Sequence, residues 1–393
     1  MNILVISSIL PVTPEFNDND FIFHLYGNYR DLYKDDRIVI IKPVKYDFNI
    51  RTIIRGKTRL QKLKGKLHWQ VENFQVEIFP YFAAWTLRNL HALVSRTAFI
   101  VNQKRISNLI KKYQFDIIHA RFILPDGMLA YQISRKYQLP YLVSTHNELF
   151  YFEHFYSRKM AFRILRHASF VLPGSYNNLL YYISHGITNV FQMTHGFNSD
   201  FIKTQRKIPG NKLGILTVCQ LIKLKNIDKV IKALNLIKNH YHFTYTIIGT
   251  GPEKEYLHDM VNGLGLQNMV FFIDYVPHDQ MANEMYKHDI FIMPSYFETF
   301  GRVFFEAMAM GIPIICARNS GIYGLFRDKE EGLAVDHRSV EEITDALEYL
   351  IGNREERLRI GRNGQKLVKN YTWQNIARDL HQKYLVSISK IST

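Results

Sequence analysis

Short, nearly continuous apolar runs alternate with amphipathic stretches of helical length along the whole chain. The first series of strand-like runs is NILVISS (from Asn2), RIVIIKP (from Arg37), QVEIFPY (from Gln75), DIIHA (from Asp116), YLVST (from Tyr141) and SFVLPGS (from Ser169). A second series follows: LGILTV (from Leu213), FTYTIIG (from Phe243), MVFFID (from Met269), DIFIMP (from Asp289) and IPIIC (from Ile312). Segments between them, such as NIDKVIKALNLIKNH, carry apolar residues at helical spacing. β-Branched runs separated by helices predict parallel sheets covered on both faces. Two such series predict an α/β chain of two doubly wound, Rossmann-like domains, residues 1–205 and 206–371, with a seam in the polar stretch Lys203–Lys212. In such sheets ligands lie beyond the carboxyl ends of the strands, where the strand order reverses.

One stretch after a predicted strand carries unusual chemistry: MPSYFETFGRVFFEAMAMGIP, Met293 to Pro313. On one unbroken helix, Glu298 and Glu306 would differ by about 80° and roughly 12 Å of rise, too far to share a small group. With Glu298 in a loop and Glu306 in the second turn of a helix starting near Gly301, both can bracket an extended ligand. Gly301 permits close backbone approach, and a helix N-terminus favours phosphate. The pattern suits a phosphate flanked by polyhydroxyl groups, as in a nucleotide sugar. The plainer alternative is a helix-start charge at Glu298 and a solvated Glu306, although VFF and AMAM around Glu306 leave little room for solvent.

The same residues resemble the signature of retaining family 4 glycosyltransferases of the GT-B fold (glycosyl transferases group 1), bacterial surface-polysaccharide type. ILTVCQLIKLKNIDKVIKAL, IIGTGPEKEYL, FFIDYVPHDQMANEMYKHDIFIMPS and YTWQNIARDLHQKYL are similar to further segments of that family, and DIIHARFILPDGMLA and YLVSTHNELF match more thinly. The resemblance implies two domains facing across a cleft: an acceptor-side domain, a nucleotide-sugar domain, and a closing helix in residues 372–393 that returns to the first. It implies that Glu298 contacts the transferred sugar, Glu306 the ribose, and Lys225 the departing diphosphate. Backbone N–H groups of Phe300, Gly301 and Arg302 would assist, with Thr299 in the same donor-binding segment. Gly249 and Gly251 would shape the wall near the nucleotide, and His146 would lie near the sugar or the reacting centre.

Three positions depart from the family pattern. TPEFNDND replaces the usual Gly-Gly loop after the first strand, Gln220 stands where a diphosphate-binding Arg is usual, and Asn147-Glu148 follows His146. The implied activity is transfer of a hexose or N-acetylhexosamine from a nucleoside-diphosphate sugar, UDP favoured slightly over GDP. The acceptor would be a glycan or lipid-linked molecule in cell-surface polysaccharide synthesis. Same-face attack is implied, with no cofactor, no metal and no assigned nucleophile. An epimerase or hydrolase of the same fold, or a non-catalytic nucleotide-sugar-binding partner, stays open.

Charge adds a partner. Of a net +15, residues 1–200 carry 25 Lys and Arg against 14 Asp and Glu, a net +11. Arg51–Lys66 holds seven cations and no acid, and Phe79, Phe82 and Trp85 follow soon after. A basic face with aromatics fits an anionic membrane surface; it also fits nucleic acid or a solvated loop. No nucleic-acid motif accompanies it, so the expected partner is the membrane. No apolar run reaches the length of a membrane span. Two cysteines, Cys219 and Cys316, exclude a disulfide framework, and the expected location is cytoplasmic, peripheral on the inner membrane face. Asp18-x-Asp20 is the short pattern that binds a divalent metal in another glycosyltransferase fold, but in this polar loop it reads as a pair of solvated carboxylates; the scattered His119, His154, His185 and His195 lack metal-ligand spacing.

Overall fold

The computed structural model describes residues 1–10, 20–48, 68–71, 74–84, 91–146, 148, 155–203, 213–298, 300–319 and 321–390. The chain forms two compact units. The first comprises Met1–Gly174, Asn178–Thr194 and Gln374–Thr393; the second comprises Ser175–Asn177 and His195–Trp373.

The first unit contains β1 (Asn2–Ile6), α1 (Asp20–Leu32), β2 (Arg37–Phe48), β3 (His68–Val71), β4 (Phe74–Ala84), α2 (His91–Val101) and α3 (Gln103–Tyr113). It continues with β5 (Ile117–Ala120), α4 (Met128–Tyr137), β6 (Tyr141–Thr145), α5 (Phe155–His167), β7 (Phe170–Pro173) and most of α6 (Tyr176–Ser184). Among the described residues its sheet has seven strands in the order β3-β4-β2-β1-β5-β6-β7. All are parallel except the edge strand β3, which runs antiparallel to β4. The chain builds outward from β1 through β2 and β4, then returns to place β5 on the other side of β1. The strand order therefore reverses between β1 and β5.

The second unit holds β8 (Leu213–Val218), α7 (Ile227–Ile237), β9 (Phe243–Ile248), α8 (Lys254–Gly263), β10 (Val270–Ile273) and α9 (His278–Met285). After these come β11 (Ile290–Met293), α10 (Arg302–Ala309), β12 (Ile314–Ala317), β13 (Leu333–Val335), α11 (Val340–Gly352) and α12 (Arg354–Val368). Its sheet is parallel throughout, in the order β10-β9-β8-β11-β12-β13, and reverses between β8 and β11. The apolar strand runs are largely buried on both faces, as their unbroken hydrophobicity requires, except at the edge strand β10, where Phe271 is exposed.

The closing helix α13 (Trp373–Ser389) belongs, beyond its first residue, to the first unit. Tyr384 is fully buried and its hydroxyl reaches His119 Nδ1 at 2.7 Å; His381 stacks on Tyr33, with ring centroids 3.6 Å apart.

Phe79 lies in the core of the first unit rather than at a surface. Arg51–Lys66, Trp85, the Phe82 side chain, most of Thr13–Asp20 with Asp18, and residues 204–212 of the seam lie outside the described residues. Among the described residues no helix is long and apolar enough to cross a membrane.

Candidate active site

In the second unit, Lys225 follows β8 and Glu298 follows β11, the two strands flanking the point where strand order reverses. Lys225 closes a single 3-10 turn (Lys223–Lys225). Asn226 next to it adopts the left-handed conformation, φ 53°, which Asn tolerates better than most residues. Its Nδ2 donates to Pro294 O at 2.8 Å, and the Tyr296 N–H donates to Leu224 O at 2.7 Å. The loops after β8 and β11 are thus tied together by two bonds.

On this frame Lys225 Nζ donates to Glu298 Oε2 at 2.5 Å, with the two side chains 15% and 19% exposed. Glu298 is held from the far side by the Gly321 N–H, which donates to its carbonyl at 2.9 Å. Gly301 caps α10 with φ 73° and ψ 62°. A Cβ there would come within 2.7 Å of the Phe304 ring, so glycine is required for both conformation and space. The first amides of α10 have no preceding turn to bond to and carry the positive end of the helix dipole.

Glu306 lies on α10, 7% exposed, with Oε1 3.4 Å from His278 Nε2. Phe300 is buried and stacks on Phe305 at 4.5 Å between centroids, so only its backbone is placed to serve a ligand. Arg302 and Gln220 are exposed; Thr299 lies outside the described residues. Gly249 has φ 142°, and a Cβ on it would fall 1.8 Å from Cys219 O, while one on Gly251 would fall 2.3 Å from Leu221 O. Both glycines let the segment after β9 run against the segment after β8, where Leu221 N–H donates to Thr250 O at 2.9 Å. Burial pushes the Cys219 thiol up to about 12, so it stays protonated near neutrality despite Lys225 nearby. Among the described residues no group of three His, Cys, Asp or Glu side chains is arranged to hold a metal ion.

His146 belongs to the first unit, just beyond β6. Its ring faces Phe122 and Phe21 at 4.8 and 5.9 Å between centroids, and its carbonyl accepts from Asn178 Nδ2. Glu148 fixes this loop: Oε2 accepts the His146 N–H at 3.1 Å and Oε1 accepts the Ile123 N–H at 2.6 Å. Burial pushes the Glu148 carboxyl up to about 8 against the pull of these two bonds.

Sequence reasoning did not foresee four participants: Asn226, Ser295, Gly321 and His278. Ser295, between β11 and Glu298, is buried with no partner for its hydroxyl among the described residues.

Comparison with known proteins bears on this arrangement. Residues 198–367 match the family model described as Glycosyl transferases group 1. The matched segment is 170 of the 393 residues, less than half of the chain. It contains the Lys225–Glu298 pair, the glycine cap of α10 and Glu306. An uncharacterized glycosyltransferase of Methanocaldococcus jannaschii is 28% identical over 175 residues, 44% of this chain and 45% of that one. A D-inositol 3-phosphate glycosyltransferase of Arthrobacter sp. is 26% identical over 48% of this chain and 46% of its own length. In both, the chain spans less than half of the relative. The structure of Anabaena HepE in complex with UDP covers 98% of this chain and 100% of that one, with a TM-score of 0.71 at 18% identity. That likeness is one of fold, the two-domain GT-B architecture that the sequence pattern and the resemblance predicted.

Proposed function

We propose that this chain is a group 1 glycosyltransferase, a retaining, metal-independent enzyme that moves a hexose or N-acetylhexosamine from a nucleoside-diphosphate sugar to a glycan or lipid-linked acceptor. The observation that carries the reading is the Lys225–Glu298 pair at the β8/β11 reversal, beside the glycine-capped start of α10. Cleavage of the anomeric C–O bond leaves negative charge on a diphosphate and electron deficiency at the sugar carbon. A cation and oriented amides meet the first, and a carboxylate within reach meets the second. Lys225 and the N–H groups at Phe300–Arg302 take the diphosphate, Glu298 orients the sugar, and Glu306 accepts from the ribose hydroxyls. The family resemblance assigns His146 to the sugar as well. Attack occurs on the face from which the diphosphate departs, and a leaving phosphate oxygen accepts the acceptor's proton. UDP is the preferred carrier over GDP, and the acceptor belongs to cell-surface polysaccharide synthesis at the inner face of the membrane.

The test is incubation with UDP- and GDP-sugars, with and without acceptor glycans, followed by NMR of the product anomer. Transfer with retained configuration, undiminished by EDTA, is the expected result. An epimerised or merely hydrolysed sugar, inverted product, or activity lost to EDTA and restored by Mn²⁺ overturns the corresponding part.

A further inference from the structure

In the first unit, the strand order reverses between β1 and β5, and the strand ends there hold buried polar groups that the donor site does not use. Arg121 follows β5 directly, and its backbone N–H donates to Ile6 O at 2.9 Å. The residue is 4% exposed. One guanidinium nitrogen, Nη1, donates to Ser144 Oγ at 3.1 Å, and the guanidinium carbon lies 5.5 Å from the Phe21 ring centroid. The guanidinium also interacts with the Tyr26 hydroxyl, but among the described residues its Nε has no hydrogen-bond partner and no carboxylate forms an ion pair with it. Arg105 shows the usual arrangement in the same unit, paired with Glu77 at 3.0 Å. Ser7, fully buried at the end of β1, also leaves its hydroxyl without a partner among the described residues.

A guanidinium so enclosed, with no ion pair among the described residues and only the buried Asp126 carboxyl acting on it at longer range, is costly to the folded chain. Its surroundings nevertheless hold it in one orientation. Ser144 Oγ is fixed by His119 Nε2 at 2.8 Å, and His119 Nδ1 meets the hydroxyls of Tyr26 and Tyr384 at 2.8 and 2.7 Å. Burial and the adjacent guanidinium hold His119 well below its ordinary value, so it adds no second cation. A cation kept dry and oriented, without an ion-pair partner among the described residues, at a strand-order reversal, suits a charge that arrives with a ligand.

We propose that Arg121, with Ser7 beside it, is an oxyanion seat that takes a phosphate or carboxylate group carried by the acceptor. The word acceptor rests on the glycosyltransferase reading; the seat itself rests on the first unit alone. Two nearby acids would oppose an anion if ionised, Asp126 and Glu148. Burial pushes them up to about 7 and about 8, which lessens that opposition near neutrality.

The experiment uses the full chain and its R121Q, R121K and K225A variants. Binding of inorganic phosphate, glycerol phosphate, glucuronate and neutral methyl glucoside is followed by titration calorimetry and thermal shift. The anionic probes should bind the wild type and K225A alike, at least ten-fold more weakly to R121Q, with R121K between; the probe with the largest ratio names the anion. The glucoside should not distinguish the variants. Without ligand, R121Q should melt no lower than the wild type, because it loses a buried charge that no ion pair among the described residues offsets. If R121Q does not fold, R121K decides. Equal anion binding by wild type and R121K, or a lower melting point for R121Q with unchanged anion binding, makes Arg121 a structural residue and overturns the seat. UDP and GDP binding is read in parallel: its absence from every form, with anion discrimination intact, removes the donor reading and leaves the seat standing.

Discussion

Lys225 Nζ and Glu298 Oε2 lie 2.5 Å apart although 73 residues separate them in sequence. The contact pairs the two charges within the chain, so on the proposed function an incoming diphosphate competes with Glu298 for the ammonium. Neither side chain has to be recruited, and the energetic demand falls on sharing the cation.

Lys225→Ala and Glu298→Gln should each slow the chemical step by an amount on the order of 2–4 kcal/mol, the range for losing one transition-state stabiliser. A double-mutant cycle on unfolding free energy should return a coupling of about 1–3 kcal/mol. Single-turnover kinetics and denaturant melts give the two numbers. Unchanged turnover in either variant removes that residue from the catalytic machinery.

Glu306→Gln should leave the chemical step nearly intact and weaken donor binding by about 1.5–3 kcal/mol, because it removes a charged acceptor on a buried face. Titration of the nucleoside diphosphate alone tests this. A variant with native affinity but reduced kcat would place Glu306 at the reacting carbon instead.

Glycine substitutions separate close approach from mere occurrence. Gly249→Ala should destabilise the chain by about 3 kcal/mol, since a Cβ would overlap Cys219 O at φ 142°. Gly263→Ala, with nothing within 4 Å, should stabilise by about 0.4–1 kcal/mol. Thermal melts of the two variants should move in opposite directions.

Glu148 predicts a pH signature. Its folded pKa, about 8, stands above the ordinary carboxyl value of 4.5. The folded state therefore binds more protons than the unfolded between these values. The contribution is present below pH 4.5 and is lost as pH rises toward 8 and just above. His119 works the other way, its lowered value costing stability as pH falls below 6.5. Glu148→Gln isolates the first effect: its melting temperature should overtake the wild type's progressively between pH 5 and pH 8. Parallel curves would mean that Glu148 is ionised in both states or in neither.

The basic segment gives the fifth prediction. Replacing Lys57, Arg59, Lys62, Lys64 and Lys66 by Ser should reduce co-sedimentation with anionic liposomes at least ten-fold at low salt, given about 1 kcal/mol per cation at such a surface. Equal binding to neutral and anionic vesicles would leave the segment a solvated loop.

All eleven apolar runs read from the sequence form strands, because buried parallel strands must be apolar on both faces. The strands missed were β3, whose HWQV lacks an apolar run and pairs antiparallel at an edge, and β13, only three residues long. The glycine start of α10 and the enclosure of Glu306 were legible because both are local to one loop and helix. The Lys225–Glu298 pairing and the approach of His278 to Glu306 were not, since the strand order creates them. Arg121 was invisible for a different reason. Among 50 Lys and Arg, nothing in the sequence marks which cation folding will enclose without an ion pair among the described residues.

The assignment of α13 to the first unit has a consequence for synthesis. Tyr384 completes the buried contacts of His119, 265 residues earlier, and His381 lies 3.6 Å from the carboxylate of Asp36. A ribosome therefore delivers the whole of the second unit before it delivers the helix that finishes the first. The earliest-made sheet must wait, with Tyr26 and His119 exposed along one side, while a complete later-made sheet is translated and folds.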